Sequence, residues 1–259
     1  MNEHRMHSRS PKRPAHTSLG HAWESFENGR KLFEMQDFPG AISVFEASLK
    51  LFQETSEPEG EAMAASAIAA AYGNNGLHEF AMPFAEQALE AFIRLGHTEQ
   101  LAEQRQNLGS LYMSCDQSQK ALEVFTQAAT DFAELQIWER AGENAVTAAN
   151  LLARADQLPA AREQFHRSLD FLRREESGAT EHLRATALMQ LAYLEKVEHD
   201  LDAARLLYTE ALESFQARDT FWEIGSWFRR DALRAKVNYR AAQMAQERVK
   251  RANSTTEDS

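Results

Sequence analysis

The sequence predicts an all-α fold built as a stack of five antiparallel helix pairs, and three observations carry that prediction. Across 259 residues there are 11 Gly and 6 Pro, too few for the many tight turns of a sandwich, a barrel or a doubly wound sheet. One apolar stripe returns five times at a nearly constant interval. Between its copies lie short clusters of Asp, Asn, Gly and Pro, the residues that stop and restart helices.

The stripe is clearest in the second helix of each pair. DFPGAISVFEASLKLF (37–52), LHEFAMPFAEQALEAF (77–92), QSQKALEVFTQAATDF (117–132), QLPAAREQFHRSLDFL (157–172) and DLDAARLLYTEALESF (200–215) are versions of one helix. Their entry alanines, Ala41, Ala81, Ala121, Ala161 and Ala204, are spaced 40, 40, 40 and 43 residues. Four residues on stand Phe45, Ala85, Phe125, Phe165 and Tyr208, and three further on the small residues Ser48, Ala88, Ala128, Ser168 and Ala211, each followed by a hydrophobic one. Positions i, i+4, i+7 and i+8 share one helix face.

A first helix precedes each copy in the same register. Its marks are a small residue, Gly29, Ala69, Gly109, Ala149 or Ala192, followed three residues later by Leu32, Tyr72, Tyr112 or Leu152. The fifth copy has Glu195 at that place, so Tyr193 and Leu194 are expected to fill its layer. Small residues let helices approach to the usual separation of about 8–10 Å, and the aromatic of the second helix fills the space beside them. The connecting turns, MQDFPG, NNGLHE, CDQSQK, ADQLPA and VEHDLD, carry the stop and N-cap residues. Pro39 and Pro159 fall in the first turn of a second helix, where a missing N–H costs nothing.

Five such copies resemble the tetratricopeptide repeat (TPR) family, whose two-helix unit is typically about 34 residues long. The resemblance covers residues 22–216, and its longer period is similar to the variants of about 40 residues in Pins-type G-protein signalling modulators and kinesin light chains. Longer helices are the expected use of the surplus. HEAT and armadillo arrays share the period, but their small-residue register fits less well. The resemblance implies a right-handed α-solenoid whose first helices line a concave groove, and a protein-interaction role with no cofactor.

The organisation read from the chain is a basic tail (1–20), a TPR-like array (21–219), a C-terminal capping helix or degenerate sixth repeat (220–251) and a short tail (252–259). The repeats are assigned to 22–60, 61–100, 101–140, 141–180 and 181–219. The cap opens with Phe221, Trp222, Ile224, Trp227, Phe228 and Leu233, and stacked pairs need such an end because none buries its stripe alone.

Net charge is −11 but uneven. Residues 221–251 hold eight Lys or Arg against three acids, and residues 1–20 hold four against one, so the body carries about −17. An acidic body repels phosphate backbones and anionic membranes, which argues against nucleic acid and favours a neutral or basic partner. Single Cys115 makes no internal disulfide, no apolar run reaches membrane-span length, and the N-terminus lacks an apolar export segment. A cytoplasmic protein without membrane insertion is expected.

Catalytic patterns are absent: there is no phosphate-binding glycine loop, no G-x-S-x-G, no H-E-x-x-H and no Cys/His ligand cluster. His78, His97, His166, His182 and His199 lie in different repeats, and no basic residue stands near Cys115 to activate it. The expectation is a protein that is not an enzyme and binds no metal. Inward positions of the first helices supply the candidate groove: Trp23, Glu27, Arg30, Phe33, Asn74, Glu103, Gln106, Asn107, Met113, Glu143, Asn150, Arg154, Gln190 and Tyr193, with Phe26, Met63, Ser66, Ala67, Ser110, Thr147 and Met189 beside them. The amides donate and accept at once, as an extended peptide backbone requires. Family members that grip a C-terminal carboxylate need cations there, whereas Glu103 and Glu143 occupy these sites and only Lys196 of seven lysines falls close. Two functions follow: an adaptor binding a peptide or helix in the groove, or a regulatory sensor that binds a signalling peptide or ligand and acts through the basic C-terminal helix.

Overall fold

The computed structural model describes residues 18–175 and 177–216. The assigned cap (220–251), the final tail and the first 17 residues lie outside the described residues. Among the described residues the chain forms ten α-helices and no strand. These are α1 (Ser18–Glu34), α2 (Phe38–Glu54), α3 (Pro58–Asn74), α4 (His78–Leu95), α5 (Thr98–Ser114), α6 (Ser118–Glu134), α7 (Trp138–Arg154), α8 (Leu158–Leu172), α9 (Gly178–Val197) and α10 (Leu201–Gln216). The fold is all-α and TPR-like, with consecutive helices packed as hairpins.

Pairs open at residues 18, 58, 98, 138 and 178, a few residues ahead of the boundaries read from the sequence. Ser18–Gly20, assigned above to the tail, belong to α1, because Leu19 packs on the core beside Trp23. Most helices run 17 residues and most turns only three, so the surplus over a 34-residue unit lengthens helices.

The turns explain that economy. A residue of positive φ stands at Gln36, Ser56, Gly76, Gly96, Asp116, Gln136 and Asp156, one every 20 residues. The next N–H reaches back five residues, as in Asp37 to the Leu32 carbonyl (2.9 Å) and Gln117 to the Tyr112 carbonyl (2.8 Å), which is the Schellman closure. The same residue's carbonyl then accepts from the entry alanine, Asp37 from Ala41 at 2.9 Å and Gln117 from Ala121 at 3.0 Å. One residue thus closes one helix and opens the next. Asp37 adds a side-chain cap to Gly40 N (3.0 Å), whereas Leu77, His97, Ile137 and Gln157 cap through backbone alone.

Contacts divide the chain into two compact units, with the boundary inside α6 between Ala121 and Leu122. In the first, α1 pairs with α2 and α3 with α4, while α1, α3 and α5 touch in succession. In the second, α7 pairs with α8 and α9 with α10, and α7 touches α9. First helices therefore stand side by side within each unit, and second helices bridge two successive first helices, as α2 does between α1 and α3 and α8 between α7 and α9.

The register marks are buried as their spacing requires. Ala41, Ala81, Ala121 and Ala161 are fully buried, as are Ser48, Ala88, Ala128 and Ser168. A Cβ on Gly29 would stand 2.6 Å from the Phe45 ring, and one on Gly142 would stand 2.5 Å from Leu172. Buried hydroxyls tie the paired helices at matching places: Ser48 donates to the Ala22 carbonyl (2.8 Å) and Ser168 to that of Gly142 (3.1 Å).

The fifth pair departs from expectation. Leu194 is buried, but Tyr193 is 56% exposed and does not fill the layer. Glu195 occupies the place itself, held by Arg162 at 2.7 Å, with Glu198 also on that guanidinium. Arg162 stands where Ile42, Met82 and Leu122 stand in the earlier pairs. A complementary ion pair has replaced an apolar contact on both sides of one interface.

Candidate functional site

The first unit holds a groove between α1, α3 and α5, and the reason is the composition of α3. Its residues 62–71, AMAASAIAAA, present alanine on nearly every side. Ala67 and Ala70 therefore leave unfilled the space that larger side chains would occupy. The resulting cavity, about 300 Å³, is floored by Phe26, Phe45, Met63 and Phe92 and edged by Arg30, Phe33, Glu34, Gln100 and Glu103. A second cleft of about 240 Å³ continues along α3 and α5, lined by Asn74, His78, Ser110 and Ser114 over Ala69, Gly73 and Ala85. Ser66, Ala70, Gln104 and Asn107 line both.

Gln104 is the hinge between the two hollows and is fully buried. Its Oε1 accepts from Ser66 Oγ on α3 (2.7 Å) and its Nε2 donates to the Ala85 carbonyl on α4 (3.0 Å), so one amide joins three helices. Arg30 is engaged by Glu27 (3.3 Å) and Glu34 (3.7 Å). With Glu103 also on the rim, the carboxylates around the apolar cavity outnumber its one cation.

Of the candidate residues, Arg30, Phe33, Asn74, Glu103 and Asn107 converge on these hollows, together with Phe26, Met63, Ser66, Ala67 and Ser110. Glu27 reaches the rim through Arg30. Trp23 packs edge-on against Phe52 (4.8 Å) and Phe26 (5.9 Å), which makes it part of the core wall. Gln106 is half-buried on α5, and Met113, 37% exposed, lies near its end. In the second unit, Glu143 and Arg154 are exposed and Asn150 is half-buried on α7, while Gln190 and Tyr193 are exposed on the adjacent α9. Sequence reasoning missed Gln104 and its counterpart 40 residues on, Asn144, also buried and donating to the Arg140 carbonyl at 2.8 Å. The available signal was a polar residue at the same register position in consecutive copies.

Titratable groups are perturbed elsewhere. Burial pushes the Glu139 carboxyl up, and Glu175 and Glu143 add to this against Arg140. Burial likewise raises the Tyr72 phenol, which donates to Glu46 at 3.2 Å. Among the described residues no group of three or more His, Cys, Asp and Glu is placed to hold a metal ion, and no helix is long and apolar enough to cross a membrane.

The family model described as "SNAP: Soluble NSF attachment protein, SNAP" matches residues 15–170. Comparison with curated proteins by sequence finds no match. Among solved structures, the chain is similar to the apo form of RapI, with a TM-score of 0.69 at 15% identity over 78% of this chain and 56% of that one. It is similar to the nearly identical TPR-like repeats of a Podosopora anserina kinesin light chain, with a TM-score of 0.62 at 16% identity over 79% of this chain and 99% of that one. The apo quorum sensor NprR from B. thuringiensis gives 0.59 at 14% identity over 79% of this chain and 56% of that one. At these identities the likeness is one of fold.

Proposed function

We propose that this chain, which belongs to the soluble NSF attachment protein (SNAP) family, is a non-enzymatic cytoplasmic adaptor that holds a peptide or helical segment of a partner protein along its first helices. The repeats are of the 40-residue kind found in Pins-type modulators and kinesin light chains. One observation carries the reading: α1, α3 and α5 leave an open strip in which an apolar cavity runs into a cleft of hydroxyls and amides. Hollows of about 300 and 240 Å³ stand at the small end of ligand pockets. They suit successive side chains of a peptide better than one metabolite. Asn74, Asn107 and Ser110 offer donors and acceptors to its backbone.

A second reading, a sensor acting through its basic C-terminal segment, is supported by the eight cations of residues 221–251 and by the fold shared with the quorum sensor NprR. Changing Arg229, Arg230, Arg234 and Lys236 to glutamine would then spare peptide binding and abolish the response of the second partner.

The experiment is affinity capture of partners by the full chain, followed by calorimetry on each. Asn74→Ala with Asn107→Ala removes two polar contacts lining the cleft and should weaken a groove partner about 5- to 150-fold. Glu123→Ala with Glu163→Ala, both exposed on second helices, should change it less than about twofold. The opposite ranking would place binding on the second helices and refute the adaptor groove.

A further inference from the structure

The two hollows of the first unit differ in chemistry, and that difference specifies an occupant more narrowly than a peptide in general. The larger one is floored by phenylalanine and methionine. Its edge carries Glu34 and Glu103, while Arg30 is already engaged by Glu27 and Glu34. A carboxylate approaching this edge meets excess negative charge, whereas a lysine or arginine beside the cavity is attracted. The smaller hollow has a floor of Ala69, Ala70, Gly73 and Ala85 and a polar wall. It admits small neutral side chains, and a charge placed there meets no counter-charge among its lining residues. Gln104 fixes the junction, because Ser66 and Ala85 hold its amide from two other helices.

We propose that the groove of α1, α3 and α5 reads a short extended peptide with one bulky apolar side chain, a lysine or arginine next to it, and small neutral polar residues on the other side. The apolar side chain seats over Phe45 and Phe92, the cation lies along Glu34 and Glu103, and the small residues run past Asn107 toward Ser110. This specificity rests on the groove reading above.

The test uses the full chain and fluorescently labelled synthetic peptides. The parent probe carries three serines, one phenylalanine and two arginines in that order; its reverse-order copy covers the other chain direction. Further probes change the phenylalanine to serine or both arginines to glutamates. One order of the parent is expected to bind, with each change weakening it about tenfold or more. Ala67→Leu fills the larger hollow and should weaken the parent probe by a similar factor with an unchanged helical spectrum. Glu103→Gln, at a half-buried rim position, should narrow the preference for arginine over glutamate and supplies a second readout should Ala67→Leu disturb folding. If the glutamate probe binds as tightly and Ala67→Leu still releases it, the specificity is wrong and the groove reading stands. If no probe binds, or all bind Ala67→Leu as well as the parent protein, both fall. A peptide of residues 221–236 that outcompetes every probe would make the occupant this chain's own segment and overturn the assignment to a partner.

Discussion

Ser66 Oγ donates to Gln104 Oε1 at 2.7 Å, and this bond between α3 and α5 sets the boundary between an apolar hollow and a polar one. Because Gln104 is fully buried and also holds the Ala85 carbonyl, removing it forfeits two hydrogen bonds and leaves a void. Gln104→Ala should cost about 2–4 kcal/mol in urea denaturation, and Gln104→Leu, which keeps the volume, about half of that. Equal loss for both would mean that packing volume is not what the glutamine supplies.

Gly29 tests the register at a crossing. Alanine is about 1 kcal/mol better than glycine in a helix interior, yet its Cβ would meet the Phe45 ring at 2.6 Å. Gly29→Ala should therefore lower stability, by about 1–2 kcal/mol, with overpacking outweighing propensity. A gain in melting temperature would show that α1 and α2 move apart at little cost.

For Arg162 and Glu195, a double-mutant cycle gives the decisive number. Arg162→Met alone strands a carboxylate whose side chain is only 12% exposed, and should cost about 1–3 kcal/mol. Adding Glu195→Leu restores the apolar pattern of the earlier copies and should return most of it. The expected coupling is about 1 kcal/mol or more; additive single effects would remove the pair from the account of this interface.

The turns predict stabilising substitutions. Gln36 and Gln136 hold φ near 62° and 60°, a conformation that costs a residue bearing a Cβ about 1 kcal/mol or more. Each change to glycine should raise stability by about 0.5–1 kcal/mol after the entropy of glycine is counted. The two sites are distant in sequence and should add. A loss at either would mean that its side chain holds the turn.

Glu139 supplies a pH dependence with a definite sign. Its carboxyl is raised by burial first and by Glu175 and Glu143 next, so the folded chain binds the proton more tightly than the unfolded one, where the value is about 4.3. Its contribution is thus fully present below that value and is lost as pH rises through the raised folded one. Carboxyl NMR titration should place Glu139 above the ordinary range, and Glu175→Gln should bring it down. An unchanged value in that variant would leave burial and Glu143 as the causes.

The sequence by itself determined the repeat register, and for a local reason. Helices crossing closely tolerate only small residues at the contact, so Ala41, Ala81, Ala121 and Ala161 recur every 40 residues and all are fully buried. The three-residue turns were legible in outline, but their left-handed residues were not, since Gln36 and Gln136 carry no glycine signal. The tertiary structure alone decided which polar residues face the groove and which are enclosed. Gln104 and Asn107 lie three residues apart on α5, one fully buried and one exposed; helical periodicity places both toward the other first helices. What separates them is the depth of the neighbouring helix. α3 is alanine on nearly every side and so has no face to read from its own pattern. The hollow exists because α1 and α5 flank that narrow helix over the rings of Phe45 and Phe92, a relation among five helices that no single stretch of sequence encodes.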